Sequence, residues 1–174
     1  MDSLRVAHIS DLHFGADGQD ETWLALTKHL REEIRPDLIL VTGDIVDTPK
    51  NHLYAEAKKS LDQLCQSIQG KSQPVKYYVC PGNHDRFPKG TRWSFLPTNR
   101  FKKAAFDFDF IFQGRIPSLT EPANIALGPA NNRWTIRVLG LDSSRSADFA
   151  ARGYISLEEM SKLDQAMADS DDTS

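Results

Sequence analysis

Three short polar segments of the sequence contain the residue types that bind metal ions in proteins. They are Asp11-Leu12-His13, Gly43-Asp44-Ile45-Val46-Asp47 and Gly82-Asn83-His84-Asp85. Their carboxylates, imidazoles and amide oxygen, with no thiolate among them, suit Mn²⁺, Fe or Zn²⁺ better than copper(I) or an iron–sulfur cluster. The glycines would let the backbone come close to a bound ion or a phosphate group. The segments therefore predict a metal site, provided that the fold brings them together.

The elements that must position these segments follow from the apolar pattern. Short apolar runs bounded by turn residues predict five strands covered on both faces, namely Leu4–Ser10, Leu38–Thr42, Val75–Cys80, Asn124–Leu127 and Trp134–Leu141. Apolar residues spaced three and four apart predict three helices. The first has Trp23, Leu26, Leu30 and Ile34 and ends before Pro36. The second has Leu53, Ala57, Leu61, Leu64 and Ile68, and the third has Leu157, Met160, Leu163 and Met167. Ser156 and Glu159 form a capping box before the last helix. Strand–helix alternation at the start predicts an α/β fold with parallel pairing.

Each polar segment directly follows one of the first three predicted strands. The carboxyl ends of parallel strands meet in one crevice of an open sheet, so we expect the three segments to lie close together. Taken singly, the segments are weak signals, because Asp-x-His can arise by coincidence and Pro81-Gly82-Asn83 can be an ordinary turn. Three such segments in order, each after a strand, favour a metal site over these alternatives.

Composition narrows the class of protein. A length of 174 residues suits a single domain spanning 1–174. The chain is 40 % hydrophobic and 26 % charged, as in globular domains, and its net charge of −3 gives no overall basic field for nucleic acid. The longest apolar run, Leu38–Val41, is too short to span a membrane, and the first residues do not form a signal peptide. Cys65 and Cys80 form no CxxC motif, so we expect a cytoplasmic protein.

The three segments, written DLH, GDIVD and GNHD, resemble the first three signature blocks of the calcineurin-like metallophosphoesterase superfamily. The resemblance continues weakly through Gly140–Ser143 and Gly153–Ser156, as in its bacterial cyclic-nucleotide phosphodiesterase branch. It implies two β-sheets packed as a sandwich and flanked by helices, an αββα fold. It also implies hydrolysis of phosphoesters at a site of two divalent metal ions (Mn, Fe or Zn), with a metal-activated water as the nucleophile.

The resemblance also implies a role for each site residue. Asp11 and His13 would bind the first metal, Asp44 would bridge both metals, and Asn83 would bind the second through its amide oxygen.

Two catalytic residues are implied as well. His84 would contact the phosphate and stabilise or protonate the leaving oxygen, and Asp85 could orient that imidazole. Asp47 would support a ligand loop without binding a metal itself.

The chain departs from the family pattern in one respect. The family has further histidines downstream, whereas this sequence has none after His84. We therefore expect an amino-terminal fragment, or a natural truncation, of a longer phosphoesterase, with the fold incomplete on its C-terminal side. The second metal site should then be weak, and an unpaired sheet edge should promote self-association.

Three functions remain open from the sequence. The favoured one is a phosphoesterase acting on a small phosphodiester such as a cyclic nucleotide. A superfamily nuclease is disfavoured because clustered cations are scarce. A non-catalytic, protein-binding scaffold of the same fold is favoured by the missing histidines and disfavoured by the five intact ligand and catalytic positions.

Other polar residues have plainer interpretations. We expect His8 to be packed in its strand or to support a ligand, and Arg100–Lys103 to form a charged helix face. Four residues after the third segment could line a phosphate pocket or belong to a solvated loop: Arg86, Lys89, Arg92 and Trp93.

Overall fold

A computed structural model of the protein describes residues 3–71, 73–88, 98–127, 134–146 and 154–171. The described strands are β1 (Val6–Ile9), β2 (Leu38–Thr42), β3 (Lys76–Cys80), β4 (Ala123–Leu127) and β5 (Trp134–Val138). The described α-helices are α1 (Gln19–His29), α2 (Asn51–Ser67), α3 (Thr98–Ile111) and α4 (Leu157–Asp171). A short 3₁₀ helix spans Ser143–Ser146.

Strands β1, β2 and β3 pair in parallel, as predicted, and β2 lies in the centre of the sheet. Ala7, Ile39 and Val79 are buried on the face that the helices cover. The prediction that every strand is covered on both faces is wrong for β4, where Asn124 and Ala126 are exposed, and for β1. Val6 is 45 % exposed and His8 is exposed, because both lie on the face of β1 opposite Ala7, which the helices do not cover. His8 is therefore not a packed histidine, and its Nε2 instead lies 2.6 Å from the Thr42 hydroxyl.

Helix α2 confirms the predicted periodicity. For the first helix it holds in part: Trp23 and Leu26 pack against the core and Leu30 is buried, but Ile34 is exposed. The apolar side of α2 is buried over the sheet, and its core residues include Leu53, Tyr54, Ala57, Leu61 and Leu64. Helix α1 continues into a π-helical turn, Leu30–Ile34, closed by a hydrogen bond from the Arg35 amide to the Leu30 carbonyl. Arg35 then adopts a left-handed conformation before Pro36, which cannot continue the helix.

Strands β4 and β5 pair antiparallel and form a second sheet. Ile125 and Leu127 of β4 share an apolar cluster with Leu38 of β2, and Leu40 and Tyr78 pack against that cluster. The two sheets therefore pack face to face. In β2, the side chains at this contact, Leu38 and Leu40, alternate along the strand with those that face the helices.

Helix α3 includes the predicted charged face, where Lys102 and Lys103 are exposed. The structure confirms the capping box at the start of α4. The Glu159 amide donates a hydrogen bond to the Ser156 hydroxyl, and the Ser156 amide donates one to the Glu159 carboxylate.

The described architecture is α/β, as predicted, and is consistent with part of a two-sheet metallophosphoesterase fold. Among the residues that the structure describes, no helix combines the length and apolar character needed to cross a membrane. Domain extent and self-association stay predictions.

Candidate metal centre

The predicted ligands occupy an unusual backbone conformation. Asp11, His13 and Asp44 have φ angles of 56°, 46° and 52°, and they are three of the four non-glycine residues with positive φ among those described. Asp and His tolerate this left-handed region better than most residues, but it still costs about 1–3 kcal/mol. Such strain persists where the surrounding structure fixes it, and it is concentrated at functional sites.

Hydrogen bonds between the first two segments fix this backbone. The Asp11 amide donates to the Gly43 carbonyl at 3.2 Å, and the His13 amide donates to the Asp44 carbonyl at 2.9 Å. Just beyond them, Phe14 and Val46 form a parallel bridge, and both side chains are buried. The pairing of β1 with β2 thus resumes past the strand ends and holds both segments in register.

Three of the four predicted metal ligands meet at this edge of the sheet. One ligand atom each from Asp11, His13 and Asp44 can be chosen so that all three lie within 4.8 Å of one another. His13 Nδ1 is buried and has no hydrogen-bond partner among the described residues. A buried ring nitrogen without a partner is costly unless something binds it, and imidazole nitrogen is a common metal ligand. The donor set therefore fits a divalent transition metal.

Asp47 lies closer to the cluster than the sequence suggested. Its Oδ1 is 3.9 Å from His13 Nδ1 and 4.0 Å from His84 Nδ1, and these three residues form a second group that could hold a metal. The two imidazole rings meet edge to face, with centroids 4.7 Å apart. In the sequence, only its spacing of three residues from Asp44 draws attention to Asp47. That spacing does not show whether Asp47 binds a metal or only lies beside a residue that does.

His84 is held at two points by the second segment. Its backbone amide donates to Asp44 Oδ1 at 2.9 Å, and its Nδ1 lies 2.9 Å from the Asp47 carbonyl oxygen. A carbonyl can only accept, so Nδ1 carries the hydrogen in this contact. In the neutral ring, Nε2 is then a proton acceptor.

Asp85 is fully buried, and its carboxylate contacts the backbone instead of the His84 ring. It accepts the amide hydrogens of Ile45 at 3.2 Å, Val46 at 2.9 Å and Gly82 at 2.8 Å. Burial raises the pKa of the Asp85 carboxyl to about 6, although these amides lower it. The Tyr54 hydroxyl donates to the Asp85 carbonyl at 2.5 Å.

The remaining sequence candidates divide between the site and its surroundings. Asn83 directly precedes His84, and its carbonyl accepts the amides of Arg86 and Phe87, so the backbone turns tightly here. Metal binding by the Asn83 amide oxygen stays a prediction. The Arg86 side chain is only 3 % exposed and pairs with Asp142 at 2.9 Å, which argues against a solvated loop. Three other residues suggested for a phosphate pocket, Lys89, Arg92 and Trp93, lie outside the described part of the chain.

Comparison with known proteins agrees with this geometry. Residues 4–146 match the calcineurin-like phosphoesterase family, to which the chain therefore belongs. An uncharacterized metallophosphoesterase of Aquifex aeolicus is 26 % identical over 84 residues, which are 48 % of this chain. A protein of Arcobacter nitrofigilis described as a probable glycerophosphodiester phosphodiesterase, GpdQ, is 28 % identical over 110 residues, or 63 % of this chain. The matched region covers 29 % of the length of each relative.

Proposed function

We propose that this protein is a metal-dependent hydrolase of phosphoester bonds. The observation that carries the proposal is the convergence of Asp11, His13 and Asp44 from two strand ends, where the buried Nδ1 of His13 has no hydrogen-bond partner among the described residues. Membership in a family of metal-dependent phosphoesterases supports the same conclusion.

The residues of the site would divide between two metal ions. Asp11 and His13 would hold the first, Asp44 would contribute to both, and Asn83 would contribute to the second. Divalent ions bound there would neutralise charge on the phosphoryl oxygens and lower the pKa of water. The hydrogen bonds from the Asp11 and His13 amides to the second segment fix the backbone that carries these ligands.

His84 would supply the proton for the leaving group. Its Nδ1 hydrogen is held by the Asp47 carbonyl, so the proton that the ring gains or loses is on Nε2. As the ester P–O bond breaks, Nε2–H of the imidazolium would donate to the departing oxygen, leaving a neutral ring. General acid catalysis of this kind contributes about 10²–10⁴-fold to a rate.

We infer a phosphodiester as the substrate class, with a cyclic nucleotide as one candidate. The relative described as a probable glycerophosphodiester phosphodiesterase supports the class, although the match covers under a third of that protein. The net charge of −3 gives no support for a nucleic-acid substrate.

Hydrolysis of bis-p-nitrophenyl phosphate with added Mn²⁺ tests the proposal, in this chain and in any longer protein that contains it. Loss of a residue that hydrogen-bonds a metal ligand lowers metal affinity or activity about 10–100-fold. Because Asp44 is itself a proposed ligand, Asp44→Asn should lower kcat/KM by more than about 100-fold. Asp20→Asn changes an exposed carboxylate of α1 and is the matched control, with kcat/KM unchanged. A chain that binds Mn²⁺ but hydrolyses no phosphodiester or phosphomonoester would instead indicate the protein-binding scaffold.

A further inference from the structure

Asp47 and the two histidines of the candidate metal centre form a second group of metal-binding side chains. One ligand atom from each of His13, Asp47 and His84 lies within 4.8 Å of the others, so this group offers two imidazoles and one carboxylate. The first group, Asp11, His13 and Asp44, offers two carboxylates and one imidazole. A neutral imidazole has only one nitrogen free to bind an ion. Near neutral pH the two groups therefore compete for His13.

The distance between Asp47 and His13 is close to that of two ligands on one ion. Asp47 Oδ1 lies 3.9 Å from His13 Nδ1, which is buried and has no hydrogen-bond partner among the described residues. Two ligands bound to zinc at about 2.1 Å in tetrahedral geometry lie about 3.4 Å apart, so a shift of about half an ångström is enough. The Asp47 side chain is 43 % exposed and has room to make this shift.

His84 is held in the way that metal-binding histidines are held. Its Nδ1 hydrogen lies on the Asp47 carbonyl oxygen, and the lone pair of the neutral ring is then on Nε2. Histidines that bind metals usually donate their other ring N–H to a carbonyl or a carboxylate, which fixes the ring. His84 can therefore bind an ion through Nε2 and keep its contact with the Asp47 backbone.

We propose that the second group is a zinc site, separate from the manganese site of the first group, and that zinc bound there inhibits the protein by occupying His84. Carboxylates suit Mn²⁺, whereas imidazoles suit Zn²⁺, which also binds nitrogen ligands more tightly than Mn²⁺ does. Two histidines and one carboxylate, with a position left for water, are a common zinc ligand set. The inhibition rests on the proposed function, because it removes the Nε2 that would protonate the leaving oxygen, but the zinc site itself does not.

Calorimetric titrations of the metal-free chain with Zn²⁺ and with Mn²⁺ test the two ligand sets. Asp47→Asn removes a charge from the second group only and keeps the backbone carbonyl that holds His84, whereas Asp44→Asn removes a charge from the first group only. The ratio of Zn²⁺ affinity to Mn²⁺ affinity should fall by at least about tenfold in Asp47→Asn and rise by at least about tenfold in Asp44→Asn. Asp20→Asn, on the exposed side of α1, is the control and should leave the ratio unchanged. A ratio that does not fall in Asp47→Asn, or that moves in the same direction in both variants, would overturn the proposal.

Two-bond ¹H–¹⁵N spectra of the histidine rings identify the zinc ligands directly, and Zn²⁺ is diamagnetic, so it does not broaden them. One equivalent of Zn²⁺ should shift the Nε2 signal of His84 while hydrogen stays on Nδ1, with the signals identified by their loss in His84→Ala. His13 belongs to both groups and should respond in either case, so the His84 signal decides. A His84 signal that stays unchanged at saturating Zn²⁺ would show that zinc does not use the second group.

Inhibition experiments connect the zinc site to the reaction. Zn²⁺ should inhibit the Mn²⁺-supported hydrolysis of bis-p-nitrophenyl phosphate, and half-inhibition of Asp47→Asn, relative to its own activity, should need at least about tenfold more Zn²⁺. Equal sensitivity of the two proteins would contradict inhibition through the second group. If neither metal supports hydrolysis but the His84 signal responds to zinc, the proposed function fails and the zinc site stands. If Mn²⁺ supports hydrolysis and the His84 signal ignores zinc, the zinc site fails and the proposed function stands.

Discussion

Asp44 and His84 are joined directly, although they are 40 residues apart: Asp44 Oδ1 accepts the backbone amide of His84 at 2.9 Å. A predicted metal ligand therefore also fixes the backbone of the predicted proton donor. A substitution at Asp44 must preserve this contact if its effect on the metal is to be isolated. Asp44→Asn does so, because the amide oxygen can still accept while the negative charge is lost.

Loss of the His84 ring should impair turnover more than metal binding. The ring is held by the Asp47 carbonyl through Nδ1 and is proposed to act on the leaving oxygen. His84→Ala should therefore lower kcat by about 10²–10⁴-fold. Steady-state kinetics on bis-p-nitrophenyl phosphate and the Mn²⁺ content after dialysis should be measured on the same preparation. A variant that loses its metal would show that His84 is a ligand, with Asp47 and His13 as its partners.

The 174-residue chain should bind one divalent ion tightly. Asp11, His13 and Asp44 supply three protein ligands for the first ion, and three ligands plus water suffice for a catalytic metal. The second would have only Asp44 and the neutral amide of Asn83. Calorimetric titration with Mn²⁺ should therefore give about one tight equivalent.

Asp44→Asn serves as the diagnostic variant for that titration, since it removes the charge that both ions would share. We expect tight binding to be lost, while Asp20→Asn on the exposed side of α1 leaves the titration unchanged. Two tight equivalents in the unmodified chain would contradict the ligand count and would point to Asp47 as an additional ligand.

The sequence predicted the strands of the first sheet and the juxtaposition of Asp11, His13 and Asp44 because both depend on local pattern and parallel topology. The periodicity of α2 and the capping box at Ser156 likewise depend only on residues close together in the sequence. These features need no knowledge of distant contacts.

The supporting contacts could not be predicted in the same way. The three acceptor contacts of Asp85 and the burial of Arg86 against Asp142 depend on which backbone amides and side chains the fold brings near them. In α3, Phe106, Phe108 and Phe110 alternate with Asp as in a strand, yet Phe108 is buried and the other two are exposed on a helix. Residues 106 and 110 share one face of the helix and residue 108 lies on the opposite face, so the helical period explains the difference in burial.

The protein should lose stability at alkaline pH. Burial raises the pKa of the Cys65 thiol to about 12, and burial together with the Asp62 carboxylate raises the pKa of the Tyr77 phenol. In the unfolded chain these groups lose their protons near pH 8.5–10, roughly their ordinary values. The folded state then binds more protons than the unfolded state, so the free energy of unfolding falls as pH rises from about 9 to about 12.

Circular dichroism melts between about pH 7.5 and pH 11 measure this loss. Cys65→Ala should melt at a lower temperature throughout, because it leaves a cavity, but its Tm should fall less steeply with pH. A slope identical to that of wild type would show that Cys65 does not contribute to the alkaline transition.

Any side chain at residue 82 should disrupt the candidate metal centre. A Cβ on Gly82 would overlap the Asp44 carboxylate and backbone nitrogen and would lie 2.8 Å from the Gly43 Cα. The backbone of residues 43 and 44 cannot move away from it without shifting Asp44, a predicted ligand. Gly82→Ala should lower the free energy of unfolding by about 1–3 kcal/mol, as overpacking does, and weaken Mn²⁺ binding by at least about tenfold.

Gly70→Ala is the control: its φ of +78° strains alanine by about 1–2 kcal/mol, but its Cβ meets nothing within 4 Å. Both variants should therefore melt earlier than wild type, and only Gly82→Ala should lose Mn²⁺ affinity in a calorimetric titration. Unchanged affinity in Gly82→Ala would mean that the close approach of residues 43 and 82 does not define the site.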